Sequence, residues 1–231
     1  MAVARWKDLC VDTGQTETLG RFYAAALGLR FEPDEGAGAL AGPDPGQRVW
    51  MNVVPEPKTT KQRVHLDVVC GAVDDLVALG ATVLEPQADY PDRSWTVLAD
   101  PEGGEMCAFV REPAELPTYR LSELVVDCTA PRPVATWWAE VLGARVDGRA
   151  DKDWWWLVDV PDLPFPNWVF VRVPEPKSVK NRIHWDVATS SVDAMVDAGA
   201  TVLRGPTADD EWQVLADPEG NEFCAFVRAR D

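Results

Sequence analysis

The sequence predicts an α+β protein built from four βαβββ modules, two in each of two tandem repeats. Two observations lead to this prediction. Most segments in the first half of the 231-residue chain return in the second half, as they do in proteins with internal repeats. Within each half, stretches with a two-residue apolar period alternate with stretches of helical period, which indicates strands and helices in turn.

Four pairs of segments define the repeat. They are identical in sequence and keep the same order in both halves: 54–58 with 173–177, 80–84 with 199–203, 97–103 with 214–220, and 107–111 with 224–228. Residues 112–117 contain two prolines and two glutamates and are predicted to be a linker. The predicted domains are therefore residues 1–112 and residues 118–231.

The elements of the first repeat follow from its periodicity and its turn residues. Helices are predicted at 16–27 and 73–79, and strands at 6–12, 29–32, 49–54, 63–68, 81–84, 95–98 and 105–110. Gly28 and Gly80 mark the ends of the two helices. Residues 33–46 are rich in glycine and proline and are predicted to be mostly loop. The second repeat is expected to follow the same order.

Both histidines of the chain occupy the same place in the two repeats. In residues 63–68, polar residues that include His65 and Asp67 alternate with apolar ones, and residues 182–187 repeat this pattern around His184. Such alternation predicts a half-buried strand that packs one face on the core and presents the histidine on the other.

Composition excludes several classes of partner. The formal net charge of -16 argues against nucleic acid and anionic membranes, because both are bound through clustered lysine and arginine. No apolar run reaches the roughly 20 residues of a membrane span. The five cysteines lack CxxC spacing and are expected to be reduced thiols, without disulfides, in a cytoplasmic protein. A small molecule is the expected ligand.

Four sequence features together resemble the vicinal oxygen chelate superfamily, which contains glyoxalases, bleomycin-resistance proteins and extradiol dioxygenases. They are the strand–helix opening that ends at Leu27-Gly28, the Arg-x-His-x-Asp strand, the Gly-Ala-Thr helix exit, and the Ala-Asp-Pro-Glu-Gly-x-Glu-x-Cys ending. The resemblance covers the whole chain, twice. It implies two glyoxalase-like domains arranged as a fused pseudo-dimer with cup-shaped mixed β-sheets, in a monomer or a homodimer.

The resemblance also implies where a metal would be held. The matching slots are Asp8, Asn52, His65 and Cys107 in the first repeat, and Glu123, Val171, His184 and Cys224 in the second. Cysteine replaces the family's usual glutamate in both repeats, and valine cannot bind a metal. The candidate metal ligands are thus Asp8, His65 and Cys107, and Glu123, His184 and Cys224. One divalent ion (Zn, Ni, Fe or Mn) and no metal at all are both open alternatives.

Strand alternation adds aromatic residues to the predicted cups. The candidate ligand-binding residues are Trp6, Asp8, Trp50, Asn52, His65, Asp67, Trp95, Cys107, Glu123, Trp154, Trp156, His184 and Cys224. If each cup is built within one repeat, the first cup has the more complete polar set and is expected to be the functional one. If the repeats exchange strands, Asp8 and Asn52 face His184 instead of His65.

Other interpretations of these residues remain open. His65 could hydrogen-bond Asp8 or Asp67 in a polar cup, with Cys107 as a small buried residue. Alternatively, His65 could activate Cys107 as a nucleophile. Four lysines that follow the repeated Pro-Glu-Pro segments are expected to be solvated or to meet an anionic ligand: Lys58, Lys61, Lys177 and Lys180.

Three functions are compatible with the sequence. The first is a bleomycin-resistance-like protein that binds a small aromatic or oxygen-rich molecule in a tryptophan-lined cup. The second is a divalent-metal-dependent lyase, isomerase or dioxygenase, and the third is a structural pseudo-dimer without a ligand. Because the usual glutamate ligand is absent from both repeats, the sequence favours binding over catalysis.

Overall fold

The computed structural model describes residues 2–34, 37–207 and 210–228. Within these residues each repeat folds into two βαβββ modules, which confirms the predicted fold class. The linker between the repeats contains a short 3₁₀ turn at Pro113–Glu115.

The two repeats have the same order of elements. The first contains β1 (Ala4–Thr13), α1 (Thr16–Leu27), β2 (Arg30–Asp34), β3 (Ala37–Ala41), β4 (Arg48–Val53), β5 (Val64–Cys70), α2 (Val73–Ala78), β6 (Thr82–Glu85), β7 (Thr96–Ala99) and β8 (Glu105–Val110). The second contains β9 (Leu121–Cys128), α3 (Pro131–Leu142), β10 (Arg145–Arg149), β11 (Trp154–Val158), β12 (Asn167–Arg172), β13 (Ile183–Thr189), α4 (Val192–Asp197), β14 (Thr201–Arg204), β15 (Gln213–Ala216) and β16 (Glu222–Val227).

The strands form two eight-stranded sheets, and each sheet takes one module from each repeat. Sheet A has the order β14-β15-β16-β13-β1-β4-β3-β2, and sheet B has the order β10-β11-β12-β9-β5-β8-β7-β6. The modules meet through antiparallel pairs, β1 with β13 and β5 with β9. Each of these four strands also has a parallel neighbour. The sheets are therefore mixed, and the repeats exchange strands. Cup A and cup B are the faces of sheets A and B opposite the core.

Helix α1 shows how the first repeat packs. It has the predicted bounds and buries the predicted stripe, including Leu19, Phe22 and Tyr23. Gly28 follows it with a φ of 71°, a left-handed conformation that costs glycine little because it has no Cβ.

Helix α3 places Trp138 at the centre of an aromatic cluster in the second repeat. Trp138 is fully buried, and its ring centroid lies 5.0 Å from Trp168, 5.3 Å from Trp185 and 5.0 Å from Phe223. Aromatic pairs at such distances contribute about 0.5–1.5 kcal/mol each beyond the area that they bury. These tryptophans therefore stabilise the core and do not reach the cups.

The Asp-Pro-Glu-Gly turn of each repeat joins the two sheets. Glu102, in the turn before β8, accepts hydrogen bonds from Thr13 Oγ1 (2.5 Å) and the backbone N–H of Gln15 (2.7 Å) at the start of α1. Glu219 accepts one from Thr129 Oγ1 (2.8 Å) before α3. A carboxylate at this position satisfies free backbone donors and suits the helix dipole.

The expectation that residues 33–46 are mostly loop is wrong, because β3 (Ala37–Ala41) lies inside this segment. A Cβ added to Gly38 would come within 2.8 Å of the Phe31 ring and 3.0 Å of Thr16. Small residues are therefore required here by close packing against β2 and α1, and they do not mark a turn.

All five cysteines are free and buried. None of the helices in the described part of the chain is long and apolar enough to cross a membrane.

Candidate functional site

Strand exchange decides which candidate residues meet. In sheet A, β1 pairs with β13, so Asp8 lies with His184 and not with His65. In sheet B, β9 pairs with β5, so Glu123 lies with His65 and Asp67. The ligand sets that assume one repeat per cup are therefore not formed: Asp8 with His65 and Cys107, and Glu123 with His184 and Cys224.

Cup B contains a cavity of about 660 Å³. Seven of the predicted ligand-binding residues line it: His65, Asp67, Trp95, Cys107, Glu123, Trp154 and Trp156. Val171, the slot without a ligand atom, lines it as well. The cavity has the size of a typical small-molecule site.

Several polar groups lie close together in this cavity. Potential ligand atoms of His65, Asp67 and Cys107 lie within 4.8 Å of one another, and His65 Nε2 is 3.5 Å from Asp67 Oδ1. Glu123 lies opposite Asp67 on the neighbouring strand and accepts a hydrogen bond of 3.2 Å from Asn167 Nδ2. Two acids, an imidazole and a thiol are thus neighbours in the cavity.

Burial controls the ionisation of this group. It lowers the pKa of His65 to about 4, so the imidazole is neutral at pH 7. Burial and then the charge of Glu123 raise the pKa of Asp67, and burial also raises the pKa of Glu123. Burial and the Asp67 charge raise the pKa of the Cys107 thiol. A protonated thiol argues against the alternative in which His65 activates Cys107 as a nucleophile.

Aromatic rings also line this cavity. The centroid of Trp95 lies 5.7 Å from that of Phe109 and 6.1 Å from that of Trp154. Trp154 and Trp156 both line the cavity from β11, as their alternation predicts. A flat ligand in this cavity would have both aromatic rings and polar groups as neighbours.

The four lysines of the Pro-Glu-Pro segments are paired with acids. The pairs are Lys58 with Glu105, Lys61 with Asp127, Lys177 with Glu222, and Lys180 with Asp12. The second and fourth pairs each join one repeat to the other. A second cavity of about 670 Å³ lies between the two segments, with Lys58, Lys61 and Lys180 in its lining.

Trp6 does not reach a cup, contrary to the prediction. It is 4% exposed and packs edge-on against Trp168 with a centroid distance of 5.4 Å. The register of β1 with β13 shifts between Trp6 and Asp8, and a bulge of this kind reverses the alternation of side chains. Trp6 therefore faces the core, and Lys7 turns toward cup A.

Cup A is crowded by its own side chains. Asp8 forms an ion pair with Lys7 and accepts a hydrogen bond of 3.0 Å from Trp50 Nε1. Arg48 lies over the Trp50 ring, with its guanidinium carbon 4.9 Å from the centroid. Asn52 lies beside Asp12 on the neighbouring strand.

The second cluster of potential ligands lies in cup A. Atoms of Cys10, His184 and Asp186 lie within 4.8 Å of one another, and Cys224 pairs with Asp186 in the register of the sheet. The Cys10 thiol donates to Asp186 Oδ1 over 3.5 Å. Burial lowers the pKa of His184 to about 4 and raises that of Asp186 to about 6.

The residues of cup B fit a divalent metal. The buried Asp67 Oδ1 has no hydrogen-bond partner within the described residues. In that same part of the chain, no Lys or Arg forms an ion pair with Asp67 or Glu123. Neutral imidazole, carboxylate and thiolate groups are suitable ligands for zinc and similar ions, and the Cys107 thiol would release its proton when it binds a metal. Cup A fits less well, because the Lys7 ammonium already lies 3.7 Å from Asp186 Oδ2.

Several residues of the two sites were missed by the sequence prediction. Cys10 and Phe109 share strand faces with the predicted Asp8 and Cys107, and Asp186 is the repeat counterpart of the predicted Asp67, so a stricter use of alternation would have found them. Lys7 could not be assigned to cup A from the sequence, because the alternation of polar and apolar residues does not reveal the bulge beside it.

Comparison with known proteins identifies one family whose model matches this chain. A family model described as a glyoxalase-like domain matches residues 8–109 and again residues 123–226. No curated protein sequence matches the chain at a significant level.

Solved structures share the architecture over almost the whole chain. Glyoxalase I from Zea mays aligns with a TM-score of 0.66 and 14% identity, over 97% of this chain and 92% of its own. A putative dioxygenase from Bacillus subtilis aligns with a TM-score of 0.64 and 14% identity, over 97% and 85%. The cppA protein from Streptococcus pneumoniae aligns with a TM-score of 0.51 and 8% identity, over 97% and 100%. The TM-scores establish a shared fold, and the low sequence identities leave the reaction open.

Proposed function

The chain belongs to the glyoxalase-like domain family, and from that premise we propose that it binds one small, planar, oxygen-rich molecule in cup B. The observation that carries this proposal is the cavity of about 660 Å³, which is lined by aromatic rings and by acid and imidazole groups. Apolar walls with a few convergent polar groups are typical of ligand sites.

The aromatic lining residues support a planar ligand, and the polar lining residues support an oxygen-rich one. Trp95, Phe109 and Trp154 provide ring faces for a flat aromatic or conjugated group. Burial raises the pKa values of Asp67 and Glu123. A carboxyl group accepts a hydrogen bond from a ligand hydroxyl when it is ionised and donates one to a ligand oxygen when it is protonated. The neutral His65 adds a donor or an acceptor beside them.

A metal-dependent lyase, isomerase or dioxygenase is the second candidate function. It is favoured by the group of His65, Asp67 and Cys107 beside Glu123, in which the acids have no Lys or Arg partner within the described residues. A divalent ion held by these residues would polarise an oxygen of the bound molecule. The protein side chains would orient that molecule between the tryptophans and exclude water from it.

Paired substitutions test the ligand site. 4-Nitrocatechol is a suitable probe, because it is planar and rich in oxygen and its absorption allows it to quench nearby tryptophans. In the wild-type protein it should quench tryptophan fluorescence with saturation. His65→Ala should weaken binding about tenfold or more, the equivalent of about 1.4 kcal/mol. His184→Ala changes the equivalent residue of cup A and is the matched control. If His184→Ala weakens binding and His65→Ala does not, the ligand site is not cup B.

Metal content separates the two candidate functions. The chain is purified in metal-free buffer, titrated with Co²⁺ and compared with the same two variants. One ion per wild-type chain that is lost in His65→Ala supports the metal-dependent alternative. Saturable probe binding to a chain that takes up no metal supports binding alone.

A further inference from the structure

Lys7 occupies cup A from within the chain. The bulge between Trp6 and Asp8 turns its side chain toward the cup, where only 15% of that side chain is exposed. Its ammonium pairs with Asp8, lies 3.7 Å from Asp186 Oδ2, and lies 4.2 Å from the centre of the Phe226 ring. A single cation thus contacts two acids and one ring face of this cup.

The equivalent position of cup B carries no cation. A register shift also occurs in β9 beside Glu123, and Ser122 stands there in place of Lys7. The serine side chain is too short to reach across the sheet. Phe109, the counterpart of Phe226, therefore lines an open cavity.

The two cups otherwise offer the same kinds of ligand. Each brings together one histidine, one aspartate and one cysteine within 4.8 Å. In cup A the buried Nδ1 of His184 has no hydrogen-bond partner within the described residues, so it is free to accept a further contact. The Lys7 ammonium is therefore the main obstacle to a second cation, because two like charges a few ångströms apart repel strongly where water is scarce.

We propose that the Lys7 ammonium is a built-in cation that takes the place of a metal ion in cup A. Its removal would turn Cys10, His184 and Asp186 into a divalent-metal site. The wild-type chain then has one ligand cup and one cup closed by its own lysine. The inference rests on the proposed function in one respect: the number of metal ions that the wild-type chain binds, assigned to cup B, is the number with which each variant is compared.

The test is a Co²⁺ titration of the full-length chain. Lys7→Ser introduces the residue of the equivalent position in cup B, and Lys7→Arg retains the charge. Lys7→Ser should bind one more Co²⁺ per chain than the wild type, with a near-ultraviolet thiolate-to-cobalt absorption band from Cys10. Lys7→Arg should bind the wild-type number. Lys7→Ser combined with His184→Ala should lose the additional ion.

Thermal unfolding supplies a second measurement that does not depend on absorption. Lys7→Ser leaves Asp8 and Asp186 without their cation, so its Tm should fall by about 5 °C or more without metal. Zn²⁺ should restore that loss in Lys7→Ser but not in Lys7→Ser combined with His184→Ala.

Three results would overturn the proposal. One is a folded Lys7→Ser chain that binds no more Co²⁺ than the wild type, and another is an additional ion that persists after His184→Ala. The third is an additional ion in Lys7→Arg. If the wild type binds no Co²⁺, cup B does not hold a metal and the metal-dependent function is contradicted. In that case one ion bound by Lys7→Ser still supports the inference about cup A, and no ion bound by Lys7→Ser overturns it. If Lys7→Ser does not fold, Lys7→Met keeps the aliphatic stem and enters the same titration.

Discussion

The hydroxyl of Tyr23 donates a hydrogen bond of 2.9 Å to Asp100, and this contact joins α1 on sheet A to the turn before β8 in sheet B. The second repeat makes the same connection with a different ring, since Trp138 Nε1 donates to Asp217 over 3.0 Å. In both repeats a buried aspartate is thus satisfied by an aromatic donor from the helix of the other sheet.

Removal of the first donor should weaken the fold. Tyr23→Phe keeps the ring and leaves the buried Asp100 with one donor fewer, so the free energy of unfolding should fall by about 1–3 kcal/mol. Urea denaturation with an unchanged m value would measure this loss. Tyr90→Phe, at a ring that is 36% exposed, is the control. Equal losses in the two variants would contradict the role of the hydrogen bond.

The same tyrosine should make the protein sensitive to alkali. Burial, and then the charge of Asp100, raise the pKa of Tyr23 well above its ordinary value of 10.0. The folded chain keeps this proton where the unfolded chain releases it, so stability falls as pH rises above about 10, by about 1.4 kcal/mol per pH unit. Unfolding free energies between pH 8 and 11 should fall less steeply for Tyr23→Phe than for the wild type. Parallel curves would refute this expectation.

Strand exchange can be tested in solution through the ion pair of Lys61 with Asp127, which come from different repeats. A double-mutant cycle with Lys61→Met and Asp127→Asn should give a coupling energy of about 0.5–3 kcal/mol in chemical denaturation. If each cup were built within one repeat, the two changes would be additive. Glu17 and Arg21, an exposed pair within α1, provide a control cycle with smaller coupling.

Cup B should close when it receives the lysine of cup A. In Ser122→Lys the new ammonium would lie near Asp67 and Glu123, so binding of 4-nitrocatechol should weaken about tenfold or more while the chain remains folded. Ser122→Gln adds length without charge and is the control. Unchanged probe binding in Ser122→Lys would show that the two positions are not equivalent.

The order of elements could be predicted because it depends on local pattern. The bounds of α1 and β8 agree with the structure to the residue, since a helical stripe ending in Gly28 and a repeated strand are encoded in adjacent residues. The strand β3 was missed because its small residues are required by contacts with distant side chains, which no local signal records.

The candidate site was predicted only in part, for two physical reasons. Seven of the residues that line the cavity were among those predicted from alternation, repetition and the family resemblance. The bulge after Trp6 reversed the alternation and hid Lys7. Which histidine faces which acid depends on the pairing of strands from different repeats. Such pairing is a tertiary choice, and His65 with Glu123 could not be distinguished from His65 with Asp8 by sequence pattern alone.

Strand exchange has a consequence for the symmetry of this molecule. A protein with one repeat could complete neither sheet alone and would need a second copy, and the two cups of that homodimer would be identical by its twofold axis. A lysine that closed one cup would close the other. A chain with both halves in one polypeptide can hold Lys7 in one cup and Ser122 in the other, which a homodimer of one repeat cannot, so covalent fusion frees the two halves from the requirement to be alike.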